Sequence, residues 1–482
     1  MSITHLNNPT SRLRFGLART DITPPVGIYH RLWGAARHDR ATGIHCPVTA
    51  EVMAFGALED APDAPPYLIR AQLDLAGLVQ AQHEELVRIL AEVGRVAPAQ
   101  VVISFSHSHS SGWFVPDRFN LPGGELIPGY LEELYEKIGQ AGQQAVANRQ
   151  EASISYARGS STMAGNRDYW DAERGSYACG FNPNSPADDT VMVARVSNTA
   201  GQTTAVIVNY ACHPTTLAWD NSLLSPDYVG ALRETVEQAT GATCVFLLGA
   251  CGDLGPREGF VGDTAVADRN GRQVGYAALS ALESMDAPLM DFAYTGPVVS
   301  GATLGTWAPI PMSNERLAAT TQIAGGCYHV ELPIRERPDR AQLEQELAEW
   351  NARAEAAQTQ GDLKAAGDSR AYAERARRWL ARLDDFPPGD TFPVQYSVHR
   401  LGDAIWITCG GEPYSLLQTE LRRRFPAHPL LISPVSGDLQ VAYLLPHDRY
   451  GKGLYQEEPS ILAQGCLEKL IDAIGERVQA LI

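Results

Sequence analysis

Five strand-like apolar runs in this chain end in residues able to ligate a metal ion or stabilise charge. That repetition constrains the fold more than any single motif. The first run, Val101-Val102-Ile103-Ser104-Phe105, leads into His107-Ser108-His109. The second, Ala205 to Cys212, ends at His213-Pro214, and the third, Cys244 to Leu248, runs into Gly249 to Pro256. The fourth, Ala404 to Cys409, ends at Gly410-Gly411-Glu412-Pro413, and the fifth, Leu430 to Ser433, leads through Ser436-Gly437-Asp438 to Tyr443. Short apolar runs bounded by turn residues read as buried strands. In open α/β sheets, ligands collect beyond the carboxyl ends of strands. An α/β fold with mixed sheets and flanking helices is therefore expected.

The rest of the chain fits that reading. Tyr67 to Asp74 is strand-like, and Gln80 to Val93 has the period of an amphipathic helix. Residues 338–384 differ: Glu, Ala, Arg and Leu dominate around a break at Gln360-Gly361-Asp362, which predicts a charged helical hairpin. A solvated surface element is the plain reading of that insertion; a lid or a dimer contact are the alternatives. Beyond the Asp385-to-Gly389 linker the strand pattern resumes, and a closing helix is expected from Ser460 to about Ile482. Residues 12–482 are expected to form one catalytic domain with the hairpin inserted in it.

Composition excludes several partners. A formal charge of -17 argues against a nucleic-acid backbone or an anionic membrane surface. Eight cysteines without a Cys-x-x-Cys pair read as free thiols in a reducing compartment. The start, Met1 to Pro9, has neither a basic region nor an apolar core, so no signal peptide is expected and the protein is placed in the cytoplasm. No apolar run is long enough to span a membrane.

His107 and His109, two apart at a strand end, are expected to project side by side from one face. Each piece has a plain alternative: His213 could be a hydrogen-bonded core residue and Glu412 a turn carboxylate. Jointly they predict one catalytic metal ion. Zinc suits nitrogen and oxygen ligands with an open position, where it lowers the pKa of water and polarises a carbonyl. Gly-x-Ser-x-Gly, Walker A and His-Glu-x-x-His motifs are all absent from the sequence.

These segments resemble the catalytic domain of the neutral/alkaline, non-lysosomal ceramidases. The resemblance runs through Arg14-Phe15-Gly16, Asp21 to Pro25, Gly43-Ile44-His45, Asp74, Ser106 to Ser110, and Asn166-Arg167. It continues through Asn209 to Pro214, Ser225 to Tyr228, Gly252-Asp253, Gly411-Glu412, and Tyr443 to Tyr455, in family order. It implies that His107, His213, Glu412 and Tyr443 ligate zinc. It also implies that His109 sits beside the metal's water, where it can hydrogen-bond or move a proton, and that Arg167 and Tyr455 stabilise the oxyanion. Asn166, Asp253 and Gly255 would border the substrate. Family enzymes cleave the amide of N-acyl sphingosines. Here the family's Gly-Asp-x-Ser-Pro stands as Gly252-Asp253-Leu254-Gly255-Pro256, with glycine in the serine's place. The chain also stops soon after Tyr455, so the family's C-terminal immunoglobulin-like domain is expected to be missing.

The resulting expectation is a zinc-dependent amidohydrolase using a metal-activated water on a small-molecule or lipid-like acyl substrate, with ceramide left open, in a possible homo-oligomer. Two rivals are a zinc esterase or deacylase acting on a small polar or glycan substrate, and a non-catalytic zinc-binding homologue.

Overall fold

A computed structural model describes residues 4–384, 386, 388–438 and 440–482. Met1 to Ile3 of the N-terminal stretch, and Asp385 and Pro387 of the linker, lie outside the described residues. Its centre is an eight-stranded mixed sheet: β1 (Thr10–Asp21), β2 (Thr49–Gly56), β3 (Leu68–Leu73), β4 (Val101–Phe105), β5 (Gln150–Ser160), β6 (Thr190–Asn198), β7 (Thr203–Tyr210) and β8 (Thr243–Leu248). The spatial order is β8-β7-β6-β5-β1-β2-β3-β4. A second sheet has the order β9 (Ile323–Pro333), β10 (Thr391–Leu401), β11 (Ala404–Cys409), β12 (Leu430–Ile432).

Alternation along the strands sorts side chains into layers. On β2, Val52 and Ala54 enter the core under helices α1 (Gln80–Gly94), α2 (Ile127–Ala147), α3 (Tyr228–Thr240) and α4 (Thr264–Glu283). Met53 and Phe55 point the other way and meet Trp406 and Leu431 of the second sheet. The opposite face of that sheet packs its Val398 and Ile407 on Leu470, Ile471 and Ile474. The architecture is thus helix, sheet, sheet, helix, with three apolar cores between the layers. Every cysteine is a free thiol. Among the described residues no helix is long and apolar enough to cross a membrane.

Three parallel strand pairs matter most: β3–β4, β7–β8 and β11–β12. They are bridged respectively by α1, α3 and a short helix, α5 (Leu416–Arg424). Counted along the ladder, β4 and β7 run in opposite senses, because an odd number of antiparallel steps separates them. In a flat sheet their carboxyl ends would lie at opposite edges. Sheet twist of about 20–25° per strand step accumulates to roughly 140–175° across eight strands. The twist turns the two edges back toward a common direction, and β8 returns into contact with β3 and β4. Buried Asn209 locks the second sheet onto this arrangement, donating to Leu247 O at 3.0 Å and Ile432 O at 2.9 Å and accepting from Ile432 N at 3.2 Å.

The C-terminal helix is shorter than the sequence pattern predicts. It spans Cys466–Leu481, preceded by Gly465 at φ 86°. The Ser460 hydroxyl donates to Tyr443 O at 2.9 Å, which binds this approach segment to the site instead of letting it coil.

Candidate metal centre and active site

The loops after β4, β7 and β11 meet where the two sheets converge. The His-x-His pair departs from the strand-face expectation. β4 ends at Phe105, and His107 sits at φ 62°, a left-handed conformation unusual for a side-chain-bearing residue. The loop turn, not strand alternation, brings the rings of His107 and His109 to 4.9 Å, at 89° to each other. The His213 ring lies 4.9 Å from that of His107 and 5.5 Å from that of His109. The three histidines form a group that could hold a metal ion, their ligand atoms within 4.8 Å of one another.

Glu412 completes the cluster. Its Oε2 lies 3.4 Å from His107 Nε2 and 3.2 Å from His213 Nε2. Its backbone reaches there because Gly411 adopts φ 79°, where a Cβ would run into Ala442 O and Leu444. Glu412 then pairs in parallel register with Tyr443, so the two expected ligands are backbone neighbours. Gly252 closes the seam from the other side: its N–H donates to Pro413 O at 2.9 Å, and a Cβ there would clash with Glu412 O.

His107 and His213 each have the outer nitrogen occupied. His107 Nδ1 donates to Ala76 O and His213 Nδ1 to Cys251 O. Both tautomers are thereby fixed with Nε2 turned inward, as metal-ligating histidines require. His107 Nε2, His109 Nε2, His213 Nε2 and Glu412 Oε2 are all buried without a hydrogen-bond partner. Leaving one buried polar atom unpaired costs about 1–3 kcal/mol, so four converging on one space mark a position built for a ligand.

Electrostatics favour the metal-binding forms of His213, His109 and Glu412, while His107 leans the other way. Burial and the charge of Arg167 bring His213 down to about 4. Burial, with His107 and His213 adding, holds His109 well below the ordinary imidazole value. Burial alone would raise Glu412, but His107 and His213 hold it well below the carboxylate range. Burial also opposes charge on His107, which its closeness to Glu412 outweighs. A carboxylate among mostly neutral imidazoles, all nitrogen and oxygen donors, fits zinc.

The remaining sequence-predicted residues fall in two groups. Arg167 is buried; its guanidinium donates to Gly252 O through Nε (3.1 Å) and Nη2 (2.8 Å), and Nη2 also donates to the Tyr443 hydroxyl at 3.1 Å. Tyr455 is 53% exposed, the most open of the sequence-predicted site residues. Its ring is 5.9 Å from that of Tyr443. Asn166, Asp253 and Gly255 lie behind this front. Asn166 and Asp253 are buried, and Asp253 accepts from Ser415 N (2.6 Å) and Ser415 Oγ (2.8 Å). Gly255 pairs with Gly165 in a short antiparallel ladder.

Three aromatic residues escaped the sequence reading. Trp33 packs its ring 5.2 Å from that of His109, with Trp219 at 5.9 Å and Phe260 at 5.6 Å beyond it. Scattered over more than two hundred positions, they carry no local signal. Gln456 escaped it as well, donating to Gly252 O at 3.2 Å and Asp168 Oδ1 at 2.9 Å and so anchoring the Tyr455 turn.

This twisted double-sheet fold is similar to that of the neutral ceramidases. The crystal structure of neutral ceramidase from Pseudomonas aeruginosa matches with a TM-score of 0.64 at 16% identity, covering 98% of this chain and 75% of that one. A ceramidase complexed with C2 gives a TM-score of 0.63 at 16% identity with the same coverage. No family model matches the chain, and no curated protein matches it significantly.

Proposed function

We propose that this protein is a zinc-dependent hydrolase that cleaves an N-acyl amide bond, with one ion held by His107, His213, Glu412 and Tyr443. The observation that carries the reading is the convergence of buried, partnerless donor atoms on one space at the strand ends. The ceramidase fold supports amide cleavage as the reaction. A zinc ion in such a site polarises a carbonyl and lowers the pKa of water. The chain's own residues do the rest. Neutral His109, with Nε2 free and its ring braced by Trp33, accepts a proton and delivers it to the departing amine. Tyr455, open to the cleft, donates to the developing oxyanion. Arg167 is committed to Gly252 O and Tyr443, so it acts from behind, by its charge and by fixing the Tyr443 hydroxyl. Trp33, Trp219 and Phe260 offer an apolar wall to the acyl group. The free thiols support a cytoplasmic setting.

The test pairs metal content with turnover. Purified protein is expected to hold about one zinc per chain and to hydrolyse N-acyl amides, losing activity on chelation and regaining it with zinc. Undiminished turnover in metal-free protein sinks the reading, and cleavage confined to acyl esters replaces amide with ester hydrolysis.

A further inference from the structure

The helical hairpin packs against the loops that carry Trp33 and Tyr455. Its outer helix, α6 (Arg340–Thr359), is mostly exposed, whereas its inner helix, α7 (Leu363–Asp384), buries Ala366, Ala373, Glu374, Ala376 and Trp379. The inner helix bridges the two loops that frame the metal centre. Arg378 Nη2 donates to Leu32 O at 2.5 Å, beside the Trp33 that packs on His109. One turn on, Arg382 Nη1 donates to Pro459 O at 2.7 Å, and Trp379 Nε1 donates to Glu458 Oε1 at 3.0 Å. Both of these contacts fall on the loop that presents Tyr455. Residues four apart share a helix face, so two guanidiniums stand together where the hairpin meets the mouth of the site.

They are not equally satisfied. Arg378 pairs with Glu374 at 2.8 Å. Among the described residues no carboxylate lies within ion-pair distance of Arg382, which stacks over Trp379 at 5.7 Å and spends one N–H on Pro459 O. Burial and the like charge of Arg378 push its guanidinium below the ordinary range, with Glu412, Glu458 and Tyr455 acting in the opposite sense. A half-buried guanidinium that feels these carboxylates only at longer range, with no direct ion pair among the described residues, has N–H groups left for an anion.

We propose that the substrate carries a compact oxyanion, a carboxylate or phosphate near the scissile amide, and that Arg382 receives it at the mouth of the cleft, reinforced by Arg378. This rests on the amidohydrolase reading and narrows its substrate class. A planar guanidinium matches such oxyanions with paired hydrogen bonds. The aromatic wall by Trp33 then takes the acyl chain while Arg382 fixes the leaving group.

The test uses zinc-loaded full-length protein with three ligands sharing one acyl chain: N-dodecanoylglycine, N-dodecanoyl phosphoethanolamine and neutral N-dodecanoylethanolamine. Binding is followed by calorimetry and hydrolysis by product analysis. At least one anionic ligand is expected to bind about tenfold more tightly than the neutral one, and the tighter of the two identifies carboxylate or phosphate. Arg382→Gln should bring the ligands to similar Kd, while Arg382→Lys, which keeps the charge but not the planar fork, should retain only part of the preference. Equal binding of all three by the wild type overturns the inference, as does a preference untouched by Arg382→Gln. Preferential binding without hydrolysis of any of them upholds the anion site and removes the amidohydrolase reading instead.

Discussion

Two buried clusters of ionisable side chains, built from similar groups, lie on either side of Trp33 and behave in opposite ways. At the base of the hairpin, Arg118 donates two hydrogen bonds to Glu374, at 2.9 and 2.5 Å, and Arg378 adds a third contact to the same carboxylate. That cluster is closed, because charge meets charge within the protein. At the metal centre, three imidazole nitrogens and a carboxylate oxygen face one another without hydrogen bonds. That cluster is open. Buried polarity that is satisfied holds structure together, and buried polarity left unsatisfied waits for something from outside.

Removing a ligand from the open cluster should have the largest effect. His213→Ala is expected to abolish stoichiometric zinc binding, measured by metal analysis, and to reduce hydrolysis by roughly a thousandfold, the loss of several kcal/mol of charge stabilisation. A variant that retains its zinc would show the cluster to be closed after all.

Breaking the closed cluster should cost stability while leaving zinc in place. Glu374→Gln leaves buried Arg118 with only Asp117 at 3.4 Å and the partly exposed Arg378 without its carboxylate, and is expected to cost about 1–3 kcal/mol in denaturant unfolding, with metal content unchanged. Loss of zinc along with stability would mean that the two regions are one unit.

The pH dependence sharpens the same contrast. Burial raises Glu374, but Arg378 and Arg118 outweigh it and hold the carboxyl at about 2 against an ordinary 4.5. A depressed folded-state value means stability fully present above about pH 4.5 and lost as pH falls toward 2. Exchange protection in residues 363–384, taken relative to the intrinsic rate at each pH, is expected to fall over that window. Protection that stays constant from pH 5 to about 2 would deny the carboxylate its anchoring role.

The smallest effect is expected at Gly255. A Cβ there would meet Arg167 Cδ at 3.7 Å and Thr215 Oγ1 at 3.8 Å, ordinary contacts. Gly255→Ser should therefore change stability by less than about 1 kcal/mol, read from a thermal melt. Any change in turnover between amide substrates would then report on recognition, not on folding.

Much of the architecture was legible because it is local. An apolar run such as Val101 to Phe105 has few places to go except a buried strand, and a glycine before Glu412 announces a turn that L side chains resist. Other features are decided at long range. The sequence pattern places His107 and His109 on one strand face, whereas the positive φ of His107 is imposed by contacts with Leu75 O and Ala76 O on a neighbouring segment. The Ser460 region reads as helix until its hydroxyl is claimed by Tyr443 O.

Composition and periodicity by themselves determined the α/β layers, the strand ends where ligand-type residues gather and the helical character of the hairpin, since each depends on neighbours a few positions apart. Only the tertiary structure decided that opposed edges of the large sheet would meet, that Trp33 would brace His109, and that Arg382 would meet the loop that presents Tyr455. Those outcomes depend on accumulated strand twist and on contacts between segments hundreds of residues apart, which no local pattern encodes.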